Sequence, residues 1–261
     1  MIMAIIQARI SSTRLLGKVL KIIEGKTVLE HVINRVKAAK NLDDVIIATT
    51  VKKEDIKIVQ LCANLGISVF CGSENDVLDR YYQTARLFKA DHIVRITSDC
   101  PLIDPMVIDE VIELYFRKKA DYASNTMIET YPDGLDTEVF SFKTLKMAWE
   151  NAKLTSEREH VTPYIKKNPN IFKIANLKCE YNLNDKRWTL DEPEDFEFIK
   201  IIYKNLYHKN ALFGMKAILN FLKKYPEIEE INKNIIRNEG YLKSLKEDRI
   251  RNLYYKHSCN A

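Results

Sequence analysis

An α/β fold, three layers deep with a mostly parallel central sheet, is what this sequence predicts, and three observations predict it. Strand-like and helix-like segments alternate with short connections through the first 120 residues, the pattern of βαβ units with helices on both faces. Residues 44–50 (DVIIATT) form a nearly continuous apolar run, as expected of a strand buried on both faces. The first apolar run breaks after Ala8 into a hydroxyl-rich, basic loop, and the loop after a first strand is where open α/β sheets bind ligands.

The elements follow in order. Residues 27–40 place Val28, Leu29, Val32, Ile33 and Val36 at helical spacing with charges between them. Residues 54–65 read as a second helix stopped by Gly66, 67–70 as a short strand, 77–89 as a third helix. Residues 91–97 form a strand that ends in the polar cluster Ser98, Asp99, Cys100 and Pro101, and a helix runs from Pro105 to about residue 119. A strand at 121–125 closes this half. Then the pattern changes: 132–134 (PDG) is a turn and 135–142 alternates as a half-exposed strand does. Helices are expected at 143–152 and 157–167 and strands near 171–177 and 187–190, an α+β half forming the second wall of a cleft. Asp191 as N-cap, with Glu194 completing a capping box, opens a helix to about residue 207. Residues 212–255 read as amphipathic helices broken at Pro226 and Gly240. The expected organisation is therefore a main domain over 1–207 and a helical extension over 208–261.

At 261 residues with 46% hydrophobic content, 7 Gly and 7 Pro, the chain has the makeup of a packed globular protein without low-complexity linkers. Its net charge of +5 is unevenly held. Residues 1–199 carry 28 Lys and Arg against 30 Asp and Glu, a net of −2, and residues 200–261 carry 13 against 6, a net of +7. The surplus belongs to the tail, so it argues against nucleic acid as the main domain's ligand. Cys62, Cys71, Cys100, Cys179 and Cys259 form no CxxC pair, which fits a reduced cytoplasmic protein. The N-terminal apolar run is too short for a signal peptide, and no run reaches the length of a membrane span.

The opening loop has the chemistry of a polyphosphate site. Arg9, Arg14 and Lys18 offer three cations, Ser11, Ser12 and Thr13 offer hydroxyls, and Gly17 permits close backbone approach. A loop whose charges are merely solvated is the plain alternative. Neither GxGxxG nor GxxxxGK[ST] is present, which demotes dinucleotide oxidoreductases and P-loop NTPases. Asp99, just past a central strand and fixed by Pro101, is placed to hold a hard divalent cation such as Mg²⁺, which usually takes one or two carboxylates beside phosphates and water. Asp104 reads as the cap of the following helix, and Asp191, the possible second metal carboxylate, also reads as a cap.

Several ordered motifs resemble one family. IQARISSTRLLGKVL at the start, GSENDVLDRYY from Gly72, RITSDCPLID from Arg95, YPDGLDTEVF from Tyr131, SEREHVTPYI from Ser156 and RWTLDEPEDF from Arg187 resemble the cytidylyltransferases of the CMP-sugar synthetase group, above all their spore-coat-polysaccharide, SpsF-like branch. The resemblance spans roughly the first four-fifths of the chain. It implies a nucleotide-diphospho-sugar transferase fold (GT-A-like, Rossmann-type), a homodimer, CTP as substrate, Mg²⁺ as cofactor and a small acidic sugar as acceptor. It implies that Arg9, Lys18 and Asp99 are catalytic, and that Ala8, Ser12, Thr13, Arg14, Gly72, Ser73, Asp76 and Arg80 join Arg9 and Lys18 around the nucleotide. Asp99 and Asp191 would hold the metal, and Asp133, Asp136, Glu138, Arg158, Glu159 and His160 would face the acceptor. Two residues depart from the family's pattern: Leu16 where relatives carry Pro, and Ser98 where they carry Gly.

Two other readings compete. A GT-A glycosyltransferase, or a nucleotidyltransferase with another acceptor or base, would keep the fold, but the DxD motif usual in the former is absent because Asp99 is followed by Cys100 and Pro101. A non-catalytic scaffold using the basic tail on nucleic acid is opposed by the near-neutral main domain.

Overall fold

The computed structural model describes residues 1–12 and 14–258; Thr13 and Cys259 lie outside the described residues. Strand β1 (Ile2–Gln7) leads through a short 3-10 helix (Lys18–Leu20) into a small hairpin, β2 (Ile22–Ile23) and β3 (Lys26–Thr27), and then α1 (Val28–Lys37). The hairpin has no counterpart in the sequence pattern, because two-residue strands carry no periodicity. β4 (Asp44–Thr50), α2 (Ile56–Leu65), β5 (Ser68–Gly72), α3 (Val77–Leu87), β6 (His92–Thr97) and α4 (Pro105–Lys118) follow. β7 (Tyr122–Ser124), β8 (Glu138–Ser141), α5 (Phe142–Asn151), α6 (Thr155–His160), α7 (Pro163–Lys167) and β9 (Ile174–Asn176) make the second half. α8 (Pro193–Leu206), α9 (Met215–Lys224), a 3-10 turn (Pro226–Ile231) and α10 (Glu239–Ser258) complete it.

The seven-stranded sheet has the order β5-β4-β1-β6-β8-β7-β9. β5, β4, β1 and β6 run parallel, and β8 is antiparallel to both of its neighbours, so the sheet is mostly parallel as expected. The chain leaves β1 toward β4 on one side and returns to β6 on the other. The loops after β1 and β6 therefore part at the switch point, where such sheets open a crevice.

Alternating side chains of β1 feed two cores. Ala4 and Ile6 pack with α1 and α4, including Val32, Ile33, Ile108 and Val111, while Met3 and Ile5 pack with α3 and α5, including Leu78, Tyr81, Leu145 and Ala148. This gives helices on both faces of one sheet. A third core joins Trp188, Leu190, Phe198, Ile199, Ile202 and Tyr203 to Phe213, Ile218 and Leu222, so α9 packs on α8.

Local chemistry fixes the ends. Thr27 Oγ1 caps α1 by accepting from the Glu30 N–H at 3.1 Å, Asp104 caps α4 through the Met106 N–H at 2.9 Å, and Gly66 ends α2 at φ +64°. Four expectations need correction. The helix expected over 157–167 is two helices: Val161 takes φ +70° and Pro163 starts the second with no N–H to give. Residues 187–190 form no ladder and only Arg187 bridges Asp133, because Trp188, Thr189 and Leu190 are spent on the α8 core and on Asp99. At the start of α8 the carboxylate that accepts from the backbone is Asp195, with the Asp191 and Glu192 N–H groups each at 2.9 Å, rather than Asp191 with Glu194. Gly240 lies inside α10 rather than at a break; the irregular stretch precedes it and turns at Asn238, φ +60°.

Candidate functional site

The loop after β1 is closed on itself. The Gly17 N–H donates to Ile10 O at 3.2 Å, and the Ile10 N–H donates to Asp55 Oδ1 at 2.7 Å. Gly17 takes φ +66°, a conformation open to glycine at little cost, and starts the short 3-10 helix that turns Lys18 inward. The Lys18 ammonium uses all three of its protons: on Asp99 Oδ2 at 3.1 Å, Asp191 Oδ1 at 2.7 Å and Leu190 O at 2.8 Å.

Asp191 reaches this point although it is 92 residues from Asp99, because the two segments are tied by their backbones: the Leu190 N–H donates to Asp99 O at 2.8 Å and the Thr189 hydroxyl to the same oxygen at 3.2 Å. Arg14 closes the group from the loop side, 2.8 Å from Asp191, 3.4 Å from Glu192 and 3.1 Å from Glu239. Two cations and two carboxylates thus meet at the carboxyl ends of β1 and β6. Burial works against the charge on each, and the partners outweigh it: Lys18 stands above its ordinary pKa because of Asp99 and Asp191, and Lys18 with Thr97 holds Asp99 down at about 2. Asp99 is therefore ionised at neutral pH. Ser98 is buried and donates its N–H to Gln7 O at 3.1 Å, while Leu16 projects into solvent at 76% exposure.

Arg9 stands apart, its side chain 45% exposed and 3.5 Å from Glu74, which also accepts from Ser11 and pairs with Lys52. Beside it runs the loop from β5 to α3. A Cβ on Gly72 would lie 2.8 Å from the Phe70 ring and 3.2 Å from Arg80, so glycine here lets Arg80 lie flat beneath the loop, where it donates to Ser73 O at 2.9 Å. Asp76 caps α3 through the Asp79 N–H at 2.8 Å and takes a bidentate pair from Arg158. Arg158, grouped by sequence with the acceptor residues, turns instead to the loop that holds Ser73 and Asp76.

The remaining residues line the other wall. Asp133 lies 3.4 Å from Arg187 and 3.7 Å from Arg237, and Asp136 is 3.2 Å from Arg237. Burial and the neighbouring Asp136 push the Asp133 carboxyl up to about 7. Glu138 is 2% exposed and sits beneath the wall, bonded to Arg95, Tyr122, Thr162 and Lys166; burial opposes its charge, but Lys166 and Arg95 drive its pKa far below the usual range. Glu159 and His160 both meet Ser244 of α10, and burial lowers His160 to about 4. Sequence reasoning missed Asp195, Arg187, Glu74 and Arg237. Only the first two carried a signal, an Arg and an Asp flanking the TLDEP turn.

The donor set fits Mg²⁺. Two carboxylates, Asp99 and Asp191, converge on the Lys18 ammonium, and among the described residues no group of three or more His, Cys, Asp or Glu side chains forms a protein-only metal cage. That is the arrangement a Mg²⁺ ion completes with substrate phosphates and water.

A basic loop and two converging carboxylates at the carboxyl ends of adjacent parallel strands fit a nucleotidyltransferase, and the family match shows that class. More narrowly, the chain belongs to the cytidylyltransferase family, whose model matches residues 3–247. It is 35% identical over 210 residues to the spore coat polysaccharide biosynthesis protein SpsF of Bacillus subtilis, covering 78% of this chain and 86% of that one. It is 32% identical over 245 residues to the 3-deoxy-manno-octulosonate cytidylyltransferase of Fusobacterium nucleatum, covering 92% and 85%. Among solved structures, a cytidylyltransferase from Leptospira borgpetersenii superposes with a TM-score of 0.84 at 32% identity, over 90% of this chain and 98% of that one. No helix among the described residues is long and apolar enough to cross a membrane.

Proposed function

We propose that this enzyme transfers CMP from CTP to a hydroxyl of a small sugar acid, with release of pyrophosphate, in the assembly of a surface polysaccharide. The observation that carries this reading is the Lys18 ammonium bridging Asp99 and Asp191 at the mouth of the basic loop. A sugar acid as acceptor is supported by the relatives named for octulosonate and for spore coat polysaccharide.

The triphosphate lies along the loop of Ala8 and Ser12, where Arg9, Arg14 and Lys18 neutralise it; the ribose and base lie against Gly72, Ser73, Asp76 and Arg80. Asp99 and Asp191 would hold a Mg²⁺ ion, which would supply further neutralisation of the triphosphate's charge. An acceptor oxygen attacks the α-phosphorus, the bond to the β-phosphate oxygen breaks, and pyrophosphate leaves with its new charge met by Lys18 and Arg14. Such transfers depend on positioning and charge far more than on covalent help from the protein. Asp133 takes the acceptor's proton, since a carboxyl near 7 is matched to proton transfer at neutral pH.

The test is pyrophosphate release from CTP and Mg²⁺ with a panel of acidic sugars, comparing the wild type with Asp99→Asn. The variant keeps the shape but halves the carboxylate set, and a loss of about 100-fold or more in kcat is expected. Unchanged turnover in Asp99→Asn would remove the metal role.

A further inference from the structure

The C-terminal extension reaches back onto the acceptor wall. After the 3-10 turn, Asn232 anchors the chain by donating to Arg187 O at 3.0 Å and Asp195 Oδ1 at 2.9 Å. The left-handed turn at Asn238 then starts α10, which docks on α6: Ser244 bonds Glu159 at 2.6 Å and His160 at 3.0 Å, and the Ser156 N–H donates to Asp248. Between these two anchors the Arg237 side chain points into the wall, close to Asp133, Asp136 and Glu129, while the neighbouring Glu239 grips Arg14 of the phosphate loop.

That wall is acidic, so an anionic acceptor needs a cation there, and the other cations nearby are committed. Arg187 is bound in a fork to Asp195 with both bonds at 2.8 Å. Arg158 is bidentate to Asp76 and also donates to Trp149 O. Arg95 and Lys166 are both spent on buried Glu138. Arg237 is held more loosely: it ion-pairs with Asp136 at 3.2 Å, Glu129 at 3.5 Å and Asp133 at 3.7 Å, but only the first is a hydrogen bond, and its Nε and Nη1 are buried without one. Leaving guanidinium donors without a hydrogen bond is unfavourable, and an entering carboxylate that replaced Asp136 on Nη2 could take Nη1 and Nη2 together in a fork. Asp136 retains one-third of its exposure, so its single bond is one that an entering anion can replace.

We propose that Arg237, delivered by the C-terminal extension, is the specificity-determining residue that binds the carboxylate of the acceptor. The inference rests on the sugar-acid reading above and adds a residue outside the motifs that define the family resemblance. It also gives the extension a function: it completes the acceptor pocket of the main domain.

The experiment uses the full chain, CTP, Mg²⁺ and a panel of 2-keto-3-deoxy sugar acids that includes 3-deoxy-manno-octulosonate, with the methyl ester of each acid beside it. For the acid that the wild type uses, Arg237→Ala is expected to raise the KM at least tenfold, with the KM for CTP within about twofold, and to erase the preference for acid over ester. Arg237→Lys, which keeps the charge and loses the fork, is expected to recover part of that preference. An Arg237→Ala enzyme that keeps its acid KM and its preference overturns the inference while leaving the sugar-acid reading intact. Parallel loss of CTP binding, followed by calorimetry with CTP alone, overturns it too, because the residue then serves the fold. A wild type that releases pyrophosphate with none of the acids overturns the sugar-acid reading, and the inference falls with it.

Discussion

Asp133 combines two strains on one carboxyl: it is buried, and Asp136 lies close enough to oppose its charge, so that it titrates near 7 in the folded chain and near 3.9 when unfolded. The folded state therefore holds the proton more tightly. Its contribution to stability is fully present below about pH 4 and is lost as the pH rises toward 7. Asp133→Asn removes that loss, so it is expected to gain stability over the wild type at pH 8 relative to pH 4, by on the order of 1–2 kcal/mol. Urea titrations at the two pH values measure this, and an equal difference at both would contradict it. At this scale the sequence was informative where residue type and position coincide: Arg9, Arg14 and Lys18 follow a strand, and Asp99 follows another. It was silent on partners. Nothing in the spacing of Arg158 says that it turns to Asp76, and nothing near Arg237 says that it reaches a wall built about 100 residues earlier.

The elements were legible wherever apolar periodicity ran long. β4 and α4 appear within a residue or two of their expected bounds, because a strand buried on both faces and a capped helix each leave a pattern. The hairpin of β2 and β3, the break at Val161 and the single bridge at Arg187 left none, since tertiary contacts decide them. Gly134 shows how such contacts hold the site together. It sits at φ +106°, and a Cβ there would lie 2.6 Å from the Trp188 carbonyl carbon, in the place where the Asp133 turn crosses the strand-like segment leading to Asp191. Gly134→Ala must push these backbones apart and is expected to destabilise the fold by about 2 kcal/mol or more and to lower activity with it. Gly66→Ala is the control: its φ is also positive, +64°, but a Cβ meets nothing within 4 Å, so a loss of about 1 kcal/mol is expected. Equal midpoints for the two variants in denaturant would contradict the close approach.

For the whole molecule, the distribution of charge and the topology lead to the same place. The main sheet parts its loops at the switch point between β1 and β6, and the two carboxylates there are balanced by Lys18 and Arg14. In the proposed reading, a triphosphate entering there would take those cations and free Asp99 and Asp191 to hold a metal. Residues 200–261, with a net charge of +7, bring Arg237 to Asp133 and Asp136 and pair with Arg14 of the loop after β1 through Glu239. The loop after β1 and the wall of Asp133 and Asp136 are thereby joined by a chain of ion pairs, Arg14 to Asp191 to Arg187 to Asp133 to Arg237. The most direct measurement is mass spectrometry of the products formed from an equimolar mixture of CTP, UTP, ATP and GTP with Mg²⁺ and a mixture of sugar acids. A CMP–sugar acid conjugate appearing in step with pyrophosphate is the predicted result; turnover that leaves CTP intact, or that joins another nucleotide to the acid, would contradict the account.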